Sequence, residues 1–404
     1  METGKTEKAA SILSYGLLVM TLTHALTHVF QRMPSALFPI LMRPEEFNLT
    51  LQQIGIIAAI PPLCSALLSI PMGLLSDRYG ARKMVFASMA VSALGALIAS
   101  QASSPMMFII AISLLSINTT IYHPAAYSFT TKLVNPSDRP KTLGIHGAGG
   151  TFGMAIGPIS LSILMGLMAF RWQQIYLFWL IPVILGAIAV FGIKTEPTED
   201  AQMTPATQTA SEEKQNIRSM LTTSLLLFLV FVGIRTIGRS MVESFLPIYM
   251  VNNKGISADL TNIIYGSNTL MGLVAAPLGG VIASRFGEKR WLIGVLVLSY
   301  ICLGLAFVIP NTIAFTALYL ISGFFNFLGM AANSSIVAKL SPTSQRGLGY
   351  ALFFLPGSLM GAVAPVIAAF IGEVFGISSI FYASIIVYVA GLFVLQFGVK
   401  IKTP

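Results

Sequence analysis

Gly73-Leu74-Leu75-Ser76-Asp77-Arg78-Tyr79-Gly80-Ala81-Arg82-Lys83 is a short basic turn, bracketed by glycines, between two long apolar runs. The same shape returns 207 positions later as Gly280-Val281-Ile282-Ala283-Ser284-Arg285-Phe286-Gly287-Glu288-Lys289-Arg290. Three cations cannot rest in hydrocarbon, so two apolar helices joined this tightly must turn back on one side of a membrane. Gly80 and Gly287 suit a turn position that excludes a Cβ. Gly73 and Gly280 are expected to let neighbouring helices approach closely. A single copy could be any basic loop; two copies at equivalent places make an internal repeat.

Composition points the same way. Of 404 residues, 55% are hydrophobic and 10% charged, and the mean hydropathy is +0.80, more apolar surface than a soluble domain can hide. The net charge of +9 would suit nucleic acid if the cations formed one patch, but they are spread over short loops. Cys64 and Cys302 sit inside apolar runs and imply neither a disulfide framework nor a metal spacing.

Apolar runs long enough to span a bilayer fall near 14–41, 53–76, 83–102, 105–127, 142–168 and 174–193, and again near 220–250, 259–284, 291–309, 311–338, 348–372 and 378–399. The expected fold is therefore an all-α membrane protein of twelve transmembrane helices in two pseudo-symmetric six-helix bundles. Residues 1–193 form the first bundle, 194–219 a polar cytoplasmic linker rich in Thr, Glu, Gln, Ser and Pro, and 220–404 the second bundle. The first ten residues carry Lys5 and Lys8 and lead into a run too long for a signal sequence, read as an uncleaved first span. Eighteen of the 24 cations fall on one side of this topology, and only Arg43, Arg171 and Lys254 on the other. That bias places both termini in the cytoplasm. The repeat also extends past the turn: Lys132-Leu133 and Arg139 recur as Lys339-Leu340 and Arg346, and Leu37-Phe38-Pro39-Ile40 is echoed by Phe245-Leu246-Pro247-Ile248.

The remaining three cations, Arg32, Arg235 and Arg239, lie inside spans, and of fifteen acids only Glu243 does so well away from an end. Buried charge in a membrane helix is costly and marks a functional candidate. Arg235, Arg239 and Glu243 follow one another at four-residue intervals and share a stripe of the seventh span. An internal Arg239–Glu243 pair could merely hold the bundle, but Arg235 has no acid left to neutralise it. All four histidines, His24, His28, His123 and His146, fall in spans of the first half. His24, His28 and Arg32 stand at i, i+4 and i+8, which puts them on one face of a continuous helix. Such imidazoles serve equally as packing residues or as proton carriers. Scattered along the chain with a single embedded acid, they make a poor metal set, so no metal is expected. The fifth span reads Gly144-Ile145-His146-Gly147-Ala148-Gly149-Gly150-Thr151-Phe152-Gly153-Met154-Ala155-Ile156-Gly157-Pro158. Small residues at this spacing make a flat face on which a partner can rock, or simply pack, and Pro158 permits a bend.

The turn resembles the G-x-L-x-D-R-x-G-R-K loop of the major facilitator superfamily, with Ala81 where that family usually has Arg, and with Ser284 at the place of Asp77 in the second copy. Leu22-Thr23-His24, Tyr122-His123-Pro124-Ala125-Ala126 and the partial G-x8-G-x3-G-P pattern ending at Pro158 are similar to the fosmidomycin-resistance and drug:proton antiporter branches. His28 departs from the acid common at its place, and the antiporter R-x-x-x-G motif is missing from the fourth span. The resemblance implies parallel halves with a substrate site between them, and a gate in which Asp77 acts with Arg78 and Arg82. Gly73, Gly80, Gly280, Arg285, Gly287, Gly153, Gly157 and Pro158 join it as conformational candidates.

Together these readings lead to a non-enzymatic secondary transporter of a small anionic or electronegative solute, acting as a monomer in the plasma membrane without a cofactor. Proton-coupled export is the first expectation. Proton-linked uptake of an organic anion is the second, resting on the three embedded arginines. A non-transporting membrane sensor is disfavoured by the short loops and the lack of a soluble domain.

Overall fold

The computed structural model describes residues 14–135, 138–193, 222–340 and 346–401. The linker expected over 194–219 lies outside them. Among the described residues every regular element is helical: α1 (Tyr15–Val29), α2 (Met33–Leu41), α3 (Leu51–Tyr79), α4 (Ala81–Ser100), α5 (Pro105–Thr131), α6 (Arg139–Gly166) and α7 (Trp172–Phe191) in the first half. The second half holds α8 (Thr223–Asn252), α9 (Ala258–Phe286), α10 (Glu288–Val308), α11 (Thr312–Leu328), α12 (Met330–Leu340), α13 (Arg346–Phe375) and α14 (Ile377–Phe393).

Among the described residues, eleven of the expected spans are helical stretches long and apolar enough to cross a bilayer. The first is divided instead. Pro34 lies in the first turn of α2 and offers no N–H, so α1 stops at Val29 and the chain turns through residues 30–32 before helix resumes. The tenth span is also interrupted, at Gly329, between α11 and α12. Polar residues at the turns set the helix starts. Ser14, Ser104, Thr222, Ser257 and Asn311 each accept a hydrogen bond from a first-turn N–H. Thr50 forms a capping box with Gln53. Thr50, the last residue of the acceptor-like triplet Asn48-Leu49-Thr50, is thus the N-cap of α3.

Gly80 and Gly287 have φ of 84° and 85°, each closing one helix and opening the next. This is the left-handed geometry their place in the motif anticipates, and a Cβ would strain it. The two turns define what is called here the basic end. Away from that end the halves meet closely. A Cβ on Gly55 of α3 would stand 2.6 Å from the Ala369 Cβ of α13, and one on Gly266 of α9 would stand 2.6 Å from the Ala155 carbonyl oxygen of α6. The echoed quartets pack as α2 against α8, with Leu37, Phe38, Phe245 and Leu246 fully buried. Toward the basic end the halves part. Along α3 and α13, Pro62 stands 3.6 Å from a Cβ built on Gly361, and a Cβ on Gly73, Gly144 or Gly147 meets nothing within 4 Å. The close packing expected at Gly73 is therefore not seen among the described residues: Met72 beside it packs within the first half, but nothing meets the face that Gly73 presents. Its counterpart Gly280 faces Ala331 at 3.3 Å.

Candidate functional site

The break after α1 decides which side chains meet. Arg32 does not continue the His24–His28 stripe, because helical geometry is lost between Val29 and Met33. The expected single face of His24, His28 and Arg32 is corrected accordingly: the histidines turn into the first half, and Arg32 reaches across into the second. Its guanidinium donates to Thr269 Oγ1, lies 3.5 Å from the Tyr265 carbonyl oxygen and covers the Tyr265 ring at 3.8 Å. It also stands 3.9 Å from Glu243 Oε1. The Arg32 Nε hydrogen is buried with no acceptor.

Glu243 is shared. Arg239, one turn earlier on α8, approaches its other carboxylate oxygen at 3.6 Å. Arg235, a further turn back and near the middle of α8, donates to Asn326 Oδ1 at 2.8 Å, and no described carboxylate lies within ion-pair distance of it. Arg32, Arg235, Arg239 and Glu243 all line one cavity of about 70 Å³, walled by the second half except where Arg32 enters from the first, with room for a few waters or a small anion. Its walls are Asn268, Asn326, Tyr319 and a ring-on-ring pair, Tyr300 and Tyr388, whose centroids are 4.3 Å apart. Asn268 is held by its Nδ2 donating to the Tyr319 carbonyl at 2.7 Å. These tyrosines and amides were not among the residues expected at the site. Asn268, Thr269 and Asn326 did carry a signal, since amides and hydroxyls inside apolar spans require partners.

The imidazoles come together elsewhere, wholly within the first half. His24 and His28 of α1 meet His123 of α5 and His146 of α6, and the His24 and His146 rings stack at 4.2 Å. The sequence places them up to 122 positions apart, so the expectation of scattered imidazoles is overturned.

The glycine stripe of α6 proves to be a seat for α1. A Cβ on Gly149, Gly153 or Gly157 would run into the carbonyl oxygens of Thr21, Ala25 or Val29. α6 remains helical through Pro158. The contact of α6 with the other half is made instead by Ala155 and Ile159 against Gly266. At the basic end Arg82 donates to the Phe191 carbonyl, and the Arg78 guanidinium lies 5.6 Å from the Tyr79 ring centroid. The side chain of Asp77, and with it the expected partnership with these arginines, lies outside what the structure describes. Arg285 is exposed at the matching turn. Next to it Glu288, which the sequence reading left aside, joins Lys339 at 2.6 Å and accepts from Ser335 at 3.0 Å. Ala81 stands at the repeat-related place in the first half and offers no carboxylate there.

Comparison with known proteins agrees with this architecture. The sequence model of the Major Facilitator Superfamily matches residues 20–237 and again 228–402. The probable nitrate transporter NarT of Staphylococcus epidermidis is 23% identical over 89% of this chain and 90% of its own. The hexuronate transporter of Bacillus subtilis is 24% identical, covering 81% of each chain, and the fosmidomycin resistance protein of Escherichia coli 22%, covering 88% and 87%. Among solved structures, a bacterial homologue of the human lysosomal transporter Spinster, inward-facing and occupied, superposes with a TM-score of 0.80 at 16% identity, over 95% of this chain and 96% of that one. The nucleoside transporter NupG does so with a TM-score of 0.75 at 13% identity, over 96% and 100%. At such identities these two show a common fold.

Proposed function

The chain belongs to the major facilitator superfamily, and from that premise we propose that it takes up a small anionic solute together with a proton. It is a multi-pass membrane transporter and not an enzyme. The basic end is assigned to the cytoplasm by its excess of Lys and Arg, so the conformation described here is open inward. The protein works in this reading as a monomer in the plasma membrane, and the proton gradient is its only energy source.

One observation carries the proposal. Arg235, Arg239 and Glu243 line one cavity of the second half that Arg32 enters from the first, so the relative movement of the halves in alternating access must change it. Three guanidinium groups against one carboxylate leave a surplus of positive charge, and beside the buried Arg32 that surplus favours an anion. The unspent Nε hydrogen of Arg32 and the planar forks of all three suit carboxylate, nitrate or phosphate-type oxygens. The relatives named for nitrate and hexuronate transport fit that chemistry.

The same geometry favours co-transport over exchange. Glu243 already occupies Arg32 and Arg239. An entering anion competes for those groups and releases the carboxylate, which then takes a proton, so that a monovalent anion and a proton together leave the charge of the cavity as it was when empty. Anion and proton thus bind in the same state. Export, the first expectation, rested on the fifth-span glycines and on the likeness to the fosmidomycin-resistance branch; the glycines seat α1 within its own half, which favours neither direction of travel.

Counterflow in proteoliposomes with labelled nitrate and labelled hexuronate tests the reading. An inside-alkaline gradient should drive accumulation of at least one anion and collapse with a protonophore. Absence of anion counterflow, together with proton-driven efflux of a cationic dye, would sink it.

A further inference from the structure

The anion cavity makes no use of the four gathered imidazoles. His24 Nδ1 lies 2.7 Å from the carbonyl oxygen of His146, and His123 Nδ1 lies 2.8 Å from that of Thr119. A carbonyl only accepts, so both Nδ1 atoms carry the hydrogen and both Nε2 atoms present bare lone pairs. His28 Nδ1 is engaged by Gln31 Oε1, which sets the same tautomer there. Its Nε2 stands 3.1 Å from His24 Nε2 and 3.2 Å from His123 Nε2. Lone pair faces lone pair twice at hydrogen-bonding distance. Turning the Gln31 amide over would put one hydrogen on His28 Nε2, which satisfies one neighbour and leaves the other bare. His24 and His28 are 4% and 7% exposed, so water does not relieve the conflict freely. A cation between the rings does.

We infer that His24, His28 and His123 form a binding site for one divalent transition-metal ion of the zinc class, with three Nε2 ligands and a fourth position left to water. Tetrahedral zinc separates its nitrogen ligands by about 3.3 Å. Two of the three pairs already stand near that spacing, and all three atoms fall within 4.8 Å of one another. His123 is the least buried of the three, so its ring can turn to close the remaining side. The oxygens on each Nδ1 are the outer contacts that orient metal-binding imidazoles. A donor set of neutral nitrogens suits zinc, copper or nickel and not magnesium or calcium. All three ligands belong to one half, so opening and closing of the transporter does not take the site apart. The ion is resident and ties α1 to α5.

The test uses the full chain, purified in detergent without a polyhistidine tag, stripped with chelator, reloaded with zinc and passed into metal-free buffer. One zinc retained per chain is expected, with a rise in Tm of several degrees that magnesium does not produce. His123→Ala should lose both the ion and the rise, and His28→Gln should repeat the loss should the first variant fold poorly. His146→Ala, which removes a stacked ring and no ligand atom, should keep both. Wild-type protein that retains no zinc, or a His123→Ala variant that retains as much, would overturn the inference. So would a Tm that responds to pH and not to zinc, which assigns a shared proton to the triad.

Discussion

Arg235 and Glu243 show how much chemistry one side chain carries inside a bilayer. Arg235 meets Asn326 through one guanidinium nitrogen and lines the cavity beside Tyr300, where its planar fork can take an oxyanion. Arg235→Lys keeps the charge and loses the fork, so transport at low substrate should fall about tenfold or more while the protein still folds. Initial uptake rates across a substrate series check this, and an unchanged apparent affinity would remove Arg235 from the site. Glu243→Gln keeps the shape of the carboxylate without its charge. Substrate exchange should persist, and accumulation driven by a pH gradient should disappear. A variant that still accumulates solute against its gradient would move proton coupling to another group.

At the scale of the element, the stripe on α6 illustrates packing by omission. Gly153 and Gly157 have no Cβ, and the carbonyl oxygens of Ala25 and Val29 take up that space. Helices in lipid gain little from hydrophobic burial against each other, so such close backbone approach is a main source of their association. Gly157→Leu must displace α1 and should lower stability by about 1–3 kcal/mol. Gly144→Leu on the same helix meets open space and should be near neutral. Thermal unfolding of the two variants in detergent separates them, and equal losses would show that the stripe has no special part in seating α1. Broken helices follow from equally local causes. Pro34 ends the run that would have kept Arg32 in line with His24, and Arg32 is thereby delivered to the other half.

For the whole molecule the balance between states lies in the contacts at the end remote from the basic turns. Gly266 admits Ala155 and Ile159 of the opposite half, and Gly55 admits Ala369 and Pro365. Gly266→Leu should force these surfaces apart and shift the population toward a form open on that side. Spin labels on the exposed residues Ser103 and Asn253, one in each half near that end, should then report a longer distance than in the parent protein. An unchanged distance in a well-folded variant would mean that the α6–α9 contact does not set the equilibrium. The Glu288–Lys339 pair at the basic end braces α10 against α12, and Ala81 stands where the first half would need the matching acid.

The architecture was legible in the chain because its causes are local. Length and polarity of a run decide whether it crosses a bilayer, cations decide which loops stay together, and Gly80 and Gly287 mark turns that only their φ permits. The embedded charges could also be picked out one by one, since each is an exception in hydrocarbon. What they do together depends on distances that no spacing along the chain encodes. Only the folded halves bring Arg32 to Glu243, Asn326 to Arg235, and His123 to His24 and His28. The glycine stripe likewise could face either half, and only the packing of α1 against α6 shows that it faces its own. The reason is the same in each case. Periodicity places a side chain on a face of its helix, and the neighbour that meets that face is chosen by the assembly of all the helices.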